Sequence, residues 1–223
     1  MSRREAKSTM YEQFAKAGKG LANPKRLELL DLLAQGERFV ESLALAADLS
    51  VSSTSMHLQA LKDAGLVRTS REGTCIRYRL AGDDVAAIFA LLRDVATKHI
   101  ASAERAFNDY LDDSNIGVDP IERSELLERV RNKEVVVLDV RPTVEFEAGH
   151  VPSAISVPLA DLEQWMKDLP ADIEIVAYCR GAYCVLAYDA VNILTSAGVR
   201  ARRLEEGMLE WRLAGLPVES GVA

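Results

Sequence analysis

No stretch of this sequence approaches the roughly 18 consecutive apolar residues of a membrane-spanning helix, so no membrane partner is expected. The opening MSRREAKSTMYEQF has neither an apolar core nor a small-residue cleavage site. A secretory signal is therefore not expected, and a cytoplasmic location is. Cysteine is scarce: Cys75, Cys179 and Cys184 form an odd, sparse set that does not suit a disulfide scaffold. In a reducing compartment such thiols are reactive, metal-binding or inert packing. Positive charge is in deficit as well. The formal net charge of −7 argues against non-specific nucleic-acid binding, though not against a local basic surface. No internal repeat or low-complexity tract stands out.

The 223 residues suffice for two domains of about 100 each. Charge divides them unevenly: residues 1–110 carry 16 Lys and Arg against 14 Asp and Glu, whereas residues 111–223 carry 11 against 20. The pattern also changes near residue 112. Asp112-Asp113-Ser114-Asn115-Ile116-Gly117-Val118-Asp119 is polar, turn-rich and followed by Pro120, and reads as a linker at 112–119 between domains at 1–111 and 120–223.

The first half reads mainly helical. A helix is expected over Arg4–Ala17. Asn23 suits a helix cap and Pro24 a first helical position, with Gly36 as the stop. Helices over Val40–Leu49 and Ser53–Ala64 flank a short Ser50-Val51-Ser52 turn. Strands Leu66–Arg71 and Cys75–Leu80 follow, then one long helix over Asp83–Leu111. Strand alternation predicts Ile76, Tyr78 and Leu80 packed on the core, with Cys75, Arg77 and Arg79 on the other face.

This order is that of a winged helix-turn-helix with a β-hairpin wing. A recognition helix fits the major groove and presents its N-terminal side chains to base edges. Ser53, Thr54, Ser55, His57 and Gln59 supply hydroxyl, imidazole and amide groups there, and Lys62 reaches for phosphate. Arg68, Arg71, Arg77 and Arg79 lie on the hairpin, where a wing meets backbone or minor groove. Spacing alone is equally compatible with a solvated polar face. Leu49-Ser50, Ser55-Met56-His57-Leu58, Leu61 to Val67, Arg71-Glu72-Gly73 and Tyr78-Arg79-Leu80 resemble the ArsR/SmtB repressors over about residues 10–105. The resemblance implies a homodimer, built on the first and last helices, that binds double-stranded operator DNA. The family's cysteine-rich metal motif falls on Glu37–Leu43, where Phe39 and Glu41 replace thiolates. Asp84, Asp94, His99 and Glu104 lack the spacing of its other metal site. No metal and no cofactor are expected.

The second half alternates strands and helices, which implies an α/β domain with a mostly parallel sheet. Val135–Val140 and Glu174–Tyr178 are apolar enough for strands buried on both faces. Strand Arg200–Leu204 and helices Ile121–Arg131, Cys184–Ala197 and Met208–Ala214 complete the outline. The second of those apolar strands runs into Cys179-Arg180-Gly181-Ala182-Tyr183-Cys184. Active sites gather at strand C-termini. Gly181 lets successive N–H groups turn inward, a helix N-terminus follows, and Arg180 adds a full charge. Each favours a thiolate, the nucleophilic form of cysteine. The alternative from the loop alone is an inert buried thiol.

Val137-Leu138-Asp139-Val140-Arg141-Pro142, Glu145 to Ala154, Val157-Pro158-Leu159, Glu206-Gly207-Met208, Trp211 and Ala214 to Val218 resemble a rhodanese domain over about residues 120–221. The resemblance implies that Cys179 takes sulfane sulfur from thiosulfate, polysulfide or a persulfide. Asp139 and Arg141 match its Asp-x-Arg, which either orients an anionic donor or forms a structural ion pair. Glu145 and His150 match mainly structural positions. Phosphate ester chemistry on a related fold needs an Arg six residues after the cysteine, where this chain has Val185. Cys184 departs from the polar or basic residue of many rhodaneses. It is either a redox partner or a small helix-start residue, and loop strain bears on the choice.

Three functions fit these halves. The first is a repressor responsive to reactive sulfur, with Cys179 as acceptor and Cys184 or Cys75 as further redox sites. The second is a working sulfurtransferase whose winged helix recruits or dimerises. The third is a metalloid-responsive repressor that uses the three thiols.

Overall fold

The computed structural model describes residues 1–111, 118–169 and 173–221. Contacts divide the chain into two units, Met1–Phe89 and Ala90–Ala223. Most of the expected linker, residues 112–117, lies outside the described residues.

In the first unit, helix α1 (Arg3–Leu21) opens on a capping box: Ser2 Oγ accepts from the Glu5 N–H, and the Glu5 carboxylate accepts from the Ser2 N–H. It runs one turn past the expected end at Ala17, through Gly18 and Gly20. Gly20 is needed there, because a Cβ would sit 2.6 Å from the Ala64 Cβ. Helix α2 (Pro24–Gln35) starts as expected, with Asn23 Oδ1 accepting from the Arg26 N–H at 3.1 Å. Strand β1 (Arg38–Phe39) is too short to show as a periodicity in the sequence. Helices α3 (Val40–Ala46) and α4 (Val51–Asp63) form the helix-turn-helix. Ser50 caps α4 through the Ser53 N–H at 3.2 Å, so α4 begins two residues before the expected Ser53. Gly65, at φ +76°, carries the chain out of it. Leu29, Leu30, Leu43, Leu58, Leu61, Val85 and Phe89 form the core.

Strands β2 (Val67–Glu72) and β3 (Cys75–Leu80) pair antiparallel, from Val67 opposite Leu80 to Glu72 opposite Cys75, and β1 adds to β3. The alternation holds only at the base of this wing. Tyr78 and Leu80 are half-buried, but Ile76, next to the hairpin turn, is 45% exposed. Helix α5 (Asp83–His99) stops at Ile100, and α6 (Ala101–Leu111) continues separately. This corrects the expectation of one unbroken helix. Nothing in the sequence marks the break.

The second unit holds a five-stranded sheet in the order β4–β8–β7–β5–β6, with every pairing parallel. Its strands are β4 (Pro120–Ile121), β5 (Val136–Asp139), β6 (Ile155–Ser156), β7 (Glu174–Tyr178) and β8 (Arg200–Leu204). Helices α7 (Arg123–Arg131), α8 (Thr143–Ala148), α9 (Leu162–Trp165), α10 (Leu186–Ser196) and α11 (Met208–Leu213) connect them. The two-residue period sorts central β7 between two apolar layers. Val176 and Tyr178 face Phe146, Leu204 and Trp211, while Ile175, Ala177 and Cys179 face Ala187, Val191 and Leu194 of α10. Helix α10 starts two residues after the expected Cys184, which leaves that residue in the loop. Among the described residues, no helix is long and apolar enough to cross a membrane.

Candidate functional site

Cys179 follows directly on β7, the central strand, and the loop Cys179–Cys184 turns back above it. The Cys184 N–H donates to the Gly181 carbonyl at 3.1 Å, closing a tight turn. This brings the Cys184 carbonyl within 3.3 Å of the Cys179 sulfur. The first amides of α11 clamp the loop from behind: Met208 N–H donates to the Cys179 carbonyl and Leu209 N–H to the Arg180 carbonyl, both at 2.9 Å. Gly207 makes that approach feasible. A Cβ there would lie 2.3 Å from the Gly181 nitrogen.

The two loop thiols act on each other's ionisation. Cys179 is 2% exposed, and burial pushes its thiol well above the usual range; the hydrogen bond to Cys184 and that sulfur's charge push it further. Cys184 is half-buried, and its thiol is lowered by the hydrogen bond from Cys179 against the cost of burial. The amides of Leu186 and Arg180 and the Arg180 guanidinium add to that lowering. Backbone hydrogen bonds favour a thiolate at both sulfurs, from Leu186 and Arg180 at Cys184 and from Ala187 and Gly181 at Cys179. Burial is the largest influence on Cys179, whereas the hydrogen bond from Cys179 is the largest on Cys184 and outweighs the cost of its burial.

Arg180 does not present a bare charge to the loop. Its Nε lies 3.0 and 3.1 Å from the two Glu145 oxygens and its Nη2 2.7 Å from one of them, a two-pronged ion pair to a fully buried carboxylate. Asp139 and Arg141 form the structural pair. Arg141 Nε donates to Asp139 Oδ1 at 2.9 Å and Nη2 to the Gly149 carbonyl at 2.8 Å, with both side chains fully buried. Asp139 Oδ2 also accepts from the Tyr178 hydroxyl at 2.6 Å, and the Tyr178 oxygen in turn accepts from the Val151 N–H at 3.0 Å. Burial, then Asp139, hold the Tyr178 phenol well above its ordinary value, so it stays a donor. The alternative in which Arg141 orients a donor does not fit this geometry. His150 is structural too, with Nδ1 2.8 Å from the Phe146 carbonyl and its ring stacked on Phe146.

Five residues outside the sequence-derived site shape the loop within the second unit. Arg93 Nη2 donates to Glu210 Oε1 at 2.7 Å, and Glu210 Oε2 accepts from the Gly207 N–H at 3.0 Å. The Arg93 guanidinium also lies 5.1 Å from the Tyr183 ring centre. Tyr183 donates to Asp94 Oδ1 at 3.3 Å and meets Phe107 edge-on at 4.9 Å. A Cβ on Gly181 would come within 3.1 Å of Glu210 and 3.3 Å of Arg93, so glycine permits this close cover. Ala182 lies at the loop's turn, half-buried. Glu210 and Gly207 fall inside or beside motif positions, but Arg93 and Phe107 carry no sequence signal.

In the first unit, Ser53, Ser55 and His57 are partly exposed on α4, and Gln59 and Lys62 are exposed. Gln59 Nε2 donates to Asp63 Oδ1 at 2.7 Å. Thr54 is a correction: it is fully buried, and its hydroxyl donates to the Ser50 carbonyl at 3.0 Å. It faces the core and has no route to a base edge. On the wing, Arg71 Nε donates to the Gly73 carbonyl at 3.1 Å. Arg77 pairs with Glu72 and lies 4.5 Å from the Phe39 ring centre. Cys75 is an exposed free thiol. Among the described residues, no three His, Cys, Asp or Glu side chains converge to hold a metal.

Comparison with known proteins matches both halves. Residues 23–69 fit the model of bacterial regulatory proteins of the arsR family, and residues 122–214 that of the rhodanese-like domain. The chain is 51% identical over 217 residues to an HTH-type transcriptional regulator of Mycobacterium tuberculosis, covering 97% of this chain and 95% of the relative. It is 30% identical to a sulfurtransferase of Allochromatium vinosum over 45% of this chain and 94% of that protein. A solved homodimeric winged helix-turn-helix DNA-binding domain from Mycobacterium bovis is 51% identical, covering 45% of this chain and 91% of that one, at a TM-score of 0.42. With the helix-turn-helix and wing in the first unit and the cysteine loop on a parallel sheet in the second, the chain belongs to the ArsR family of transcriptional regulators and carries a C-terminal rhodanese-like domain.

Proposed function

We propose that this regulator is a cytoplasmic, homodimeric repressor that responds to reactive sulfur, with Cys179 accepting sulfane sulfur as a persulfide. Operator reading and dimerisation belong to residues 1–111, a linker spans 112–119, and sulfur capture belongs to 120–223. The observation that carries this reading is the amide-lined loop that holds two thiols in contact above the central strand. Loss of one proton from that pair leaves a charge shared by both sulfurs. When the remaining proton sits on Cys184, Cys179 is the thiolate. It attacks the outer sulfur of a persulfide, forms the Cys179 S–S bond and releases the donor's thiolate; from thiosulfate it releases sulfite. Arg180, paired with Glu145, gives little surplus charge for a dianionic donor, which favours a singly charged persulfide or hydropolysulfide over thiosulfate.

On the DNA side, Ser53, Ser55, His57 and Gln59 of α4 are the base-facing groups. Lys62, Arg71 and Arg77 are the phosphate or minor-groove contacts. Exposed Met10, Tyr11 and Phe14 on α1, and Ile88, Leu91 and Val95 on α5, supply the apolar surface for a second copy. The likeness to a sulfurtransferase favours one further reading, in which Cys179 turns over and the winged helix recruits.

A gel-shift titration tests the proposal. Polysulfide should weaken operator binding by the wild-type chain and leave Cys179→Ser unaffected. Equal affinity with and without sulfur, together with sustained thiosulfate:cyanide turnover, would instead establish the enzyme.

A further inference from the structure

The loop holds a second thiol that sulfur capture alone does not need as a nucleophile. Cys184 is outside α10, which begins at Leu186. Its backbone is free of the helical ladder on the amide side except for the turn bond to Gly181. Its carbonyl and its sulfur both lie against the Cys179 thiol.

Cys179 holds its sulfur under its own loop, 3.3 Å from the Cys184 carbonyl and 3.9 Å from the Gly181 carbonyl. Its strand face is packed by α10, and its carbonyl and that of Arg180 are held by the amides of Met208 and Leu209. Gly207 lies against Gly181 with no room for even a methyl group. Cys184 is the less buried thiol of the pair. Cys184 is thus next to any sulfur atom added to Cys179.

We propose that Cys184 is the resolving thiol of this loop: it attacks the Cys179 persulfide and converts it into an intraloop Cys179–Cys184 disulfide. The inference rests on the reading that Cys179 accepts sulfane sulfur. The Cys184 sulfur attacks the inner sulfur of Cys179–S–SH, the Cys179–Cys184 S–S bond forms, and the inner-to-outer S–S bond breaks. The outer sulfur departs with the proton from Cys184 as hydrogen sulfide. Two thiols are oxidised and one sulfane sulfur is reduced to sulfide, so the donor persulfide is the only oxidant required. The amides of Leu186 and Arg180 favour the thiolate of Cys184, the form that attacks. The durable signal is then a disulfide that staples the loop, and the persulfide is its precursor.

The test uses the full chain with Cys75→Ser, so that only the loop thiols remain, treated with glutathione persulfide and followed by intact mass and peptide mapping. The expected product has lost two hydrogens, carries a Cys179–Cys184 cross-link that dithiothreitol reverses, and appears with one sulfide released per chain. Adding Cys184→Ser should halt the reaction with one extra sulfur on Cys179. Stable extra sulfur on Cys179 without a cross-link, while Cys184 is intact, overturns the resolving role and leaves sulfur capture standing. No gain of sulfur and no cross-link in either protein overturns both. The first protein keeps both loop thiols, so the result does not depend on how well the Cys184→Ser variant folds.

Discussion

Neutralising Glu145 probes how the loop's charge is held. Glu145→Gln keeps the shape but removes the carboxylate that grips Arg180 through contacts of 2.7–3.1 Å. Breaking a fully buried ion pair costs about 3–5 kcal/mol, because the remaining charge is stranded. The Glu145 side chain is fully buried, but Arg180 is 23% exposed and can turn partly toward water. The expected loss is thus smaller, about 2–3 kcal/mol. For a domain of this size that lowers the melting temperature by roughly 10 °C. Thermal melts of Glu145→Gln, Arg180→Gln and the double variant measure the coupling. The double variant should be more stable than the sum of the single variants predicts, since it strands no charge. A loss below about 0.5 kcal/mol with additive singles is what an exposed pair gives, and it would refute the account of Arg180 as a neutralised charge. The same variant should speed thiol alkylation in the loop, because the freed guanidinium favours the thiolate.

Three further outcomes follow from other contacts. Alkylation of the loop pair should rise with pH through a midpoint below the ordinary thiol range, because Cys184 is lowered. In Cys184→Ser the midpoint should move above that range, because burial raises Cys179; an unchanged profile would contradict the shared charge. Gly207→Ala should cost about 1–3 kcal/mol, since its Cβ meets the Gly181 backbone, whereas Gly18→Ala, with nothing within 4 Å, should be neutral or stabilising. Equal melting shifts would argue against the tight clamp. Lys62→Ala should reduce the slope of operator affinity against salt by about one while barely altering sequence preference, and a lost preference would make Lys62 a base contact.

Much of the fold is readable in the sequence because its signals are local. Asn23-Pro24, Ser50 and Gly65 mark helix ends by chemistry that acts within four residues. The apolar runs of β5 and β7 mark buried parallel strands for the same reason, and they place Cys179 at a strand end. Gly18 and Gly20 mislead because helix propensity favours a stop there, while packing against Ala64 rewards continuation. Thr54 misleads because a hydroxyl near a recognition helix start reads the same whether it faces DNA or the core. The charge state of the loop is not legible at all. It depends on burial depth and on Glu145, 35 residues from Arg180, and the loop's outer cover comes from Arg93, 117 residues from Glu210.

Sulfur on the loop is expected to change how the regulator holds DNA. The direct measurement is operator affinity by fluorescence anisotropy on one preparation, before glutathione persulfide, after it, and after dithiothreitol, with sulfur content read by intact mass at each stage. A coupling of typical size weakens binding by about 5–150-fold, in step with modification of Cys179, and reduction restores it. Full modification of Cys179 with unchanged affinity would contradict the account.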